Sequence, residues 1–151
     1  MAILHNETMI DAPLGKIWEA LANIENLDKY DPTVKKSTAI STAKSGLGAK
    51  RKVEMQDGKN WFDEQITAFK PEEALTYELT ACSFPIHKLK HSYSFAQIGS
   101  QIKIEQQMEY EVKFGFFGKI MDALMIRKQF DRGIKLFLEG LKTKLEYQQH
   151  G

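Results

Sequence analysis

Seven polar side chains stand where the chain's own alternation turns them toward an interior. In the run His87–Phe95, a period of two puts His87, His91 and Tyr93 on the side shared with Leu89 and Phe95, opposite Lys88, Lys90, Ser92 and Ser94. The same reading groups Tyr77 with Leu75 and Leu79, Glu64 with Phe62, Ile66 and Ala68, Arg51 with Val53 and Met55, and Gln106 with Ile104 and Met108. Polar groups aimed at a core need hydrogen-bond partners, or a cavity that holds water or a ligand. Taken singly, each His or Tyr also reads as a satisfied core residue, and Glu64 near Arg51 as a structural ion pair. Taken together, from five successive strands, they read as the orienting groups of an apolar pocket.

The chemistry such a set can do is narrow. Glu64 and His91 are the candidates for acid–base work, since a carboxylate and an imidazole facing an apolar cavity can exchange protons with a substrate. Tyr77 or Tyr93 could hydrogen-bond a developing enolate. No complete catalytic set follows from the residues. His87 and His91 lie roughly 13 Å apart along a strand at about 3.3 Å per residue, too far to share a zinc ion with bonds of about 2 Å. The single cysteine, Cys82, has no ligand spacing, so no metal site is expected. Ser92 and Ser94 point away from His91, no Gly-x-Ser-x-Gly elbow is present, and no glycine-rich loop precedes a helix. No cofactor is expected.

Strands must carry these residues, and something long must cover them. From Val34 onward the period is two, through Val34–Ser41, Ala49–Met55, Asn60–Phe69, Ala74–Ala81, His87–Phe95 and Gln101–Phe114, with Asp57-Gly58 a strong hairpin signal. A strand over residues 2–10 precedes them. Asp11 as N-cap, with Pro13 near the first helical position, then starts a short helix through Ile17, Trp18 and Leu21, followed by a further helical turn within Glu25–Tyr30. Short turns make the sheet antiparallel, with one apolar side.

The cover is the stretch from Phe117 to about Tyr147. Its apolar residues recur at helical spacing: Phe117, Ile120, Met121 and Leu124, then Ile134, Phe137, Leu138, Leu141 and Leu145. Such a helix would run roughly 45 Å. The two halves of the stripe point about a quarter-turn apart, separated by Ile126-Arg127-Lys128-Gln129, so the helix either curves with a solvated middle or bends near Gly133. Phe117, Met121 and Leu124 are therefore further candidate lining residues. Phe114-Gly115-Phe116-Phe117-Gly118 reads as a lid, a contact for a membrane or partner protein, or ordinary packing under the helix start.

Composition excludes several classes. Lys and Arg number 21 against 20 Asp and Glu, without a basic block, so nucleic acid has no electrostatic footprint. No apolar run is long enough for a transmembrane segment. The opening Met-Ala-Ile-Leu-His-Asn-Glu lacks a signal peptide's pattern. A lone cysteine suits a reducing compartment. The expectation is one cytoplasmic domain over residues 1–151.

The order of these elements, and several local patterns, resemble the START/Bet v1-like (SRPBCC) superfamily, in particular its polyketide cyclase/dehydrase-like group. The resemblance is carried by Ile10-Asp11-Ala12-Pro13 with Ile17-Trp18, by Gly46, Gly48 and Arg51, by Glu64, Ile66, Pro71 and Tyr77, and by Gly118–Asp122 through Leu141–Glu146. It departs at Tyr30-Asp31-Pro32, where the group commonly has Trp before the proline. The resemblance implies an α+β helix-grip fold: a curved antiparallel sheet of about seven strands around a long C-terminal helix, with two short helices between the first two strands. It also implies a cavity for a lipid, polyketide or aromatic molecule; it carries over no set of site residues, and the alternation pattern itself offers Tyr77, His87, His91 and Tyr93 to orient the ligand's polar end. Two other functions stay open. One is a cyclase or dehydratase using Glu64 or His91. The other is a protein-interaction module like the co-chaperone domain that binds Hsp90, whose protein partner would replace a small molecule.

Overall fold

The structure, a computed structural model, describes residues 2–113 and 125–150. Phe117, Met121 and Leu124, and the whole of the expected lid from Phe114 to Gly118, lie outside the described residues. The chain begins with strand β1 (Ala2–Ile10), then helix α1 (Leu14–Ala22) and a 3-10 turn (Leu27–Lys29). Six strands follow: β2 (Val34–Ala39), β3 (Lys50–Met55), β4 (Trp61–Lys70), β5 (Ala74–Cys82), β6 (Ile86–Ile98) and β7 (Gln101–Val112). Helix α2 (Arg127–His150) closes the chain.

The seven strands make one antiparallel sheet in the order β1-β7-β6-β5-β4-β3-β2. Each strand from β2 to β6 pairs with its successor in sequence, as short turns require, and β1 pairs with β7. The start of α1 differs from expectation. Pro13, not Asp11, is the N-cap residue, and the Asp11 backbone N–H instead donates to Glu146 Oε2 at 2.9 Å.

Helix α2 lies over the concave face and runs through Gly133 without a break. Ile134, Phe137, Leu138, Leu141 and Leu145 are all buried, the stripe that the spacing gives. Each such side chain contributes roughly 1.5–3 kcal/mol when fully removed from water. The quarter-turn between the stripe's halves is partly filled: Ile126 is buried, while Arg127, Lys128 and Gln129 stay exposed. Polar contacts fix the helix along edge strand β1. Arg127 donates to the Ile3 carbonyl, Asn6 to Asp131 Oδ1, and Lys142 Nζ to the Met9 carbonyl at 2.6 Å. That cover also blunts an edge which would otherwise offer unpaired backbone groups.

The interior is densest between α1, the sheet and the second half of α2, where Ile10, Ile17, Ile24, Leu75, Tyr77, Ile104 and Leu141 are almost wholly buried. Gly140 belongs to this packing. A Cβ there would stand 2.0 Å from the Tyr30 carbonyl oxygen and 3.1 Å from Pro32 Cδ. Only glycine lets the helix come this close to the segment leading into β2.

Candidate functional site

Toward the first half of α2 the sheet and helix part, leaving a cavity of about 630 Å³. That size suits a small organic ligand, for which pockets of roughly 300–1,000 Å³ are usual. The strands contribute Phe62, Leu79, Leu89 and Met108 to its walls, and α2 contributes Ile126, Phe130, Ile134 and Phe137. Phe84, in the turn between β5 and β6, bridges the two layers. Its ring stands edge-on to Phe62 at 6.2 Å and to Phe130 at 6.3 Å. Asp31, Thr33, Gln56, Asn60, Gln129 and Arg132 also border the cavity. Gly133 faces it as well, and a Cβ there would meet no atom within 4 Å.

Five of the polar residues singled out by alternation line this one cavity: Arg51, Glu64, His91, Tyr93 and Gln106. Arg51 and Glu64 are direct cross-strand partners. The Arg51 Nε donates to Glu64 Oε1 at 2.8 Å, and a terminal guanidinium nitrogen reaches the same oxygen at 2.6 Å. Both side chains are almost fully buried, so this is a desolvated ion pair. The guanidinium also lies over the Tyr77 ring, 4.1 Å from its centroid. Burial works against the Arg51 charge, but Tyr77, Glu64 and Tyr30 outweigh it and hold its pKa above the ordinary value.

On β6 and β7, Tyr93 pairs with Gln106 and His91 with Met108, which sets His91 diagonal to Gln106. The Gln106 Nε2 stands 2.9 Å from His91 Nδ1. With the amide nitrogen donating, Nδ1 accepts and the ring proton sits on Nε2. Burial lowers the His91 pKa from 6.5, Glu64 raises it and Arg51 lowers it again, so the imidazole is neutral at neutral pH. Burial raises the Tyr93 phenol far above its usual range, and its hydroxyl keeps its proton. At the cavity's border, burial raises the Asp31 carboxyl, against the Thr33 backbone N–H and hydroxyl that donate to it.

Two acceptors in this cluster stand out. Glu64 Oε2 and Gln106 Oε1 are buried without a hydrogen-bond partner among the described residues. Their residues are 2% and 1% exposed. Unpartnered buried oxygens are uncommon and mark places where something else is bound or strain is stored.

Two of the seven expected residues are not on the cavity wall. His87 is exposed. The β6–β7 register shifts between Ile86 and Lys88, a β-bulge that gives Ile86 the buried position and turns His87 outward. Tyr77 does face inward, as alternation requires, but at the dense end. Its hydroxyl donates to the Leu21 carbonyl at 2.7 Å, tying β5 to α1, and burial pushes its pKa up to about 12. Phe62, Phe84, Phe130 and Phe137 were missing from the expected lining. Alternation and helical spacing marked Phe62 and Phe137 as inward-facing, but nothing local distinguishes a core position from a cavity wall.

On the outer face of the sheet, His5, Glu7 and Glu105 bring ligand atoms within 4.8 Å of one another. Lys103 already pairs with both carboxylates, at 3.2 and 3.1 Å. Among the described residues, no helix is long and apolar enough to cross a membrane.

A curved antiparallel sheet gripping one long helix is the helix-grip arrangement of START/Bet v1-like proteins. The family model described as "Polyketide cyclase / dehydrase and lipid transport" matches residues 1–146, and the chain belongs to that family. Solved structures agree on the fold. A START superfamily protein from Mycobacterium smegmatis is similar with a TM-score of 0.78 at 14% identity, covering 97% of this chain and 98% of that one. Major latex-like protein 151 from Panax ginseng reaches 0.75 at 12% identity, with 95% and 97% covered. The di-domain ARO/CYC protein BexL reaches 0.77 at 11% identity over 97% of this chain, which corresponds to 47% of BexL. No curated protein matches the sequence.

Proposed function

We propose that this protein binds a small, largely apolar molecule (a lipid, polyketide or aromatic compound) between its sheet and helix α2. The observation that carries the proposal is the cavity of about 630 Å³, walled by aliphatic and aromatic side chains around one buried polar cluster. An interior of this kind gains by accepting apolar surface and uses a few fixed polar atoms to orient it. Arg51, Glu64, His91, Tyr93 and Gln106 would be the orienting groups. The chaperone-binding reading calls for a filled, dry interior, and the cavity weighs against it.

Native mass spectrometry of freshly purified protein tests the proposal. The expected result is a mass above that of the bare chain, released on denaturation, and a thermal shift with lipids or aromatic polyketides. Bare protein with no shift against either would overturn it.

A second reading, a cyclase or dehydratase, is favoured by one specific feature: the Glu64 carboxylate keeps one oxygen, Oε2, buried without a hydrogen-bond partner among the described residues, and Glu64 and the neutral His91 line the same cavity. An unpartnered carboxylate oxygen can take a proton from a carbon next to a carbonyl. Under that reading, Glu64→Gln or His91→Gln abolishes turnover while the fold survives. Full activity in both variants on a substrate once found would rule out these roles. Since the Glu64 charge already balances Arg51, binding is the better supported function.

A further inference from the structure

We infer that the cavity holds its ligand by an uncharged carbonyl group, a ketone or quinone oxygen, in preference to the matching alcohol, carboxylate or plain hydrocarbon. This rests on the ligand-binding function proposed above and specifies its chemistry. What decides it is the balance of protons and lone pairs left over on the cavity wall. Three donors there find no protein acceptor among the described residues: Arg51 Nη1, the His91 ring N–H and the Tyr93 hydroxyl. The other Arg51 nitrogens, Nε and Nη2, both point at Glu64 Oε1. His91 spends Nδ1 on the Gln106 amide, which leaves the proton on its second ring nitrogen. Tyr93 keeps its proton because burial raises the phenol's pKa. His91 and Tyr93 stand two residues apart on one face of β6, about 7 Å along the strand. Arg51 acts electrostatically on both.

The acceptors of the same cluster are spent or shut away. Glu64 Oε1 takes both Arg51 nitrogens, while Glu64 Oε2 and Gln106 Oε1 are buried beyond the reach of even a water-sized group. At the border, Asp31 Oδ1 already receives the Thr33 backbone N–H and hydroxyl. A carbonyl oxygen brings two lone pairs and no proton, so it can take two of the three donors. A hydroxyl in its place also accepts, but it adds a further proton to a wall already short of acceptors. A polar proton left desolvated and unpaired is costly. A hydrocarbon displaces water from all three donors and offers them nothing. A carboxylate accepts well, but the Arg51 charge is already balanced by Glu64, and Asp31 adds a second carboxylate to the cavity's border. Its own charge would be buried without a counter-ion. Arg132, the other cation bordering the cavity, is exposed, where solvent screens it.

The test is a titration of the full chain with four compounds sharing one tricyclic body: fluorenone, fluorenol, fluorene and fluorene carboxylate. Fluorenone is expected to bind about tenfold more tightly than fluorenol, and more tightly than fluorene or the carboxylate. Its carbonyl stretch, read by infrared difference spectroscopy, should lie at lower wavenumber in the complex than in hexane, the mark of hydrogen bonds donated to the oxygen. Tyr93→Phe and His91→Phe each remove one donor and keep a ring, and should weaken fluorenone severalfold more than fluorene. Equal or tighter binding of fluorenol, or tightest binding of fluorene or the carboxylate, would overturn the inference and leave apolar-ligand binding standing. A bound carbonyl stretch at its hexane position would overturn it too, with no variant needed. So would equal losses for fluorenone and fluorene in both variants, each folded by circular dichroism. Binding of none of the four compounds would overturn the ligand-binding function and this inference with it.

Discussion

Two glycines on one helix show how differently its halves are used. At Gly140 an added methyl would run into the Tyr30 carbonyl at 2.0 Å; seven residues earlier, at Gly133, it would meet nothing within 4 Å. Both lie on α2, and each directly follows a charged residue, Arg132 before Gly133 and Glu139 before Gly140. One is a contact so close that no other residue fits it. The other borders open space. The contrast is that of the whole interior, since the helix presses on the chain at its second half and stands off the sheet at its first. A fold that only needed to be stable would close that gap, because an unfilled apolar volume costs dispersion contacts. The first half of α2 therefore carries a packing cost that its second half does not.

Substitutions at the two ends should separate along this line. Arg51→Met is expected to have the largest effect, a loss of about 3–5 kcal/mol, because it leaves the Glu64 carboxylate buried and unpaired. Urea denaturation of this variant would show it, and Arg51→Met combined with Glu64→Leu should recover most of the loss. Gly140→Ala comes next, at about 3 kcal/mol, since the colliding atom is backbone and cannot rotate away. Tyr77→Phe removes the hydroxyl from the Leu21 carbonyl and should cost about 1–2 kcal/mol. Gly133→Ala should go the other way, raising stability by about 0.5–1 kcal/mol, because alanine restricts the unfolded chain and meets no obstacle. If Gly133→Ala and Gly140→Ala were equally destabilising, the two halves of α2 would not differ as described.

The finest test is in pH. His91 has its pKa lowered by burial, so between 6.5 and that lower value the unfolded chain binds more protons than the folded one. Its contribution to stability is then complete above 6.5 and is lost as pH falls through the folded pKa. Glu64 and Arg51, the charged groups acting on it, pull in opposite directions and do not reverse the sign. Denaturation midpoints of wild type and His91→Leu across this range should converge as pH drops. Parallel curves would place His91 in water.

Much of this frame was legible in the amino-acid sequence, for a physical reason. Antiparallel strands with one wet face must alternate, and a helix covering them must carry a stripe, so both signals are local and strong. The stripe Ile134, Phe137, Leu138, Leu141 and Leu145 is buried as spaced. Arg51, Glu64, His91, Tyr93 and Gln106 share a cavity because period two survives along their strands. It failed at His87, where an extra residue opposite β7 lets Ile86 take the core position, a choice made by packing rather than by any residue at the bulge. Tyr77 shows a different limit. Alternation tells which face a side chain takes, but not whether that part of the face is filled. The answer depended on a carbonyl 56 residues away. The two glycines mark the same boundary, because only the path of Tyr30 and Pro32 past α2 distinguishes them.

The central claim is that the gap beside Gly133 is where a ligand sits. Gly133→Trp fills that gap from the helix side, and the bound mass in native mass spectrometry is the readout. The account predicts a folded variant, with wild-type circular dichroism, that loses the added mass carried by the wild-type chain. A folded variant that carries the same bound mass as wild type would contradict it.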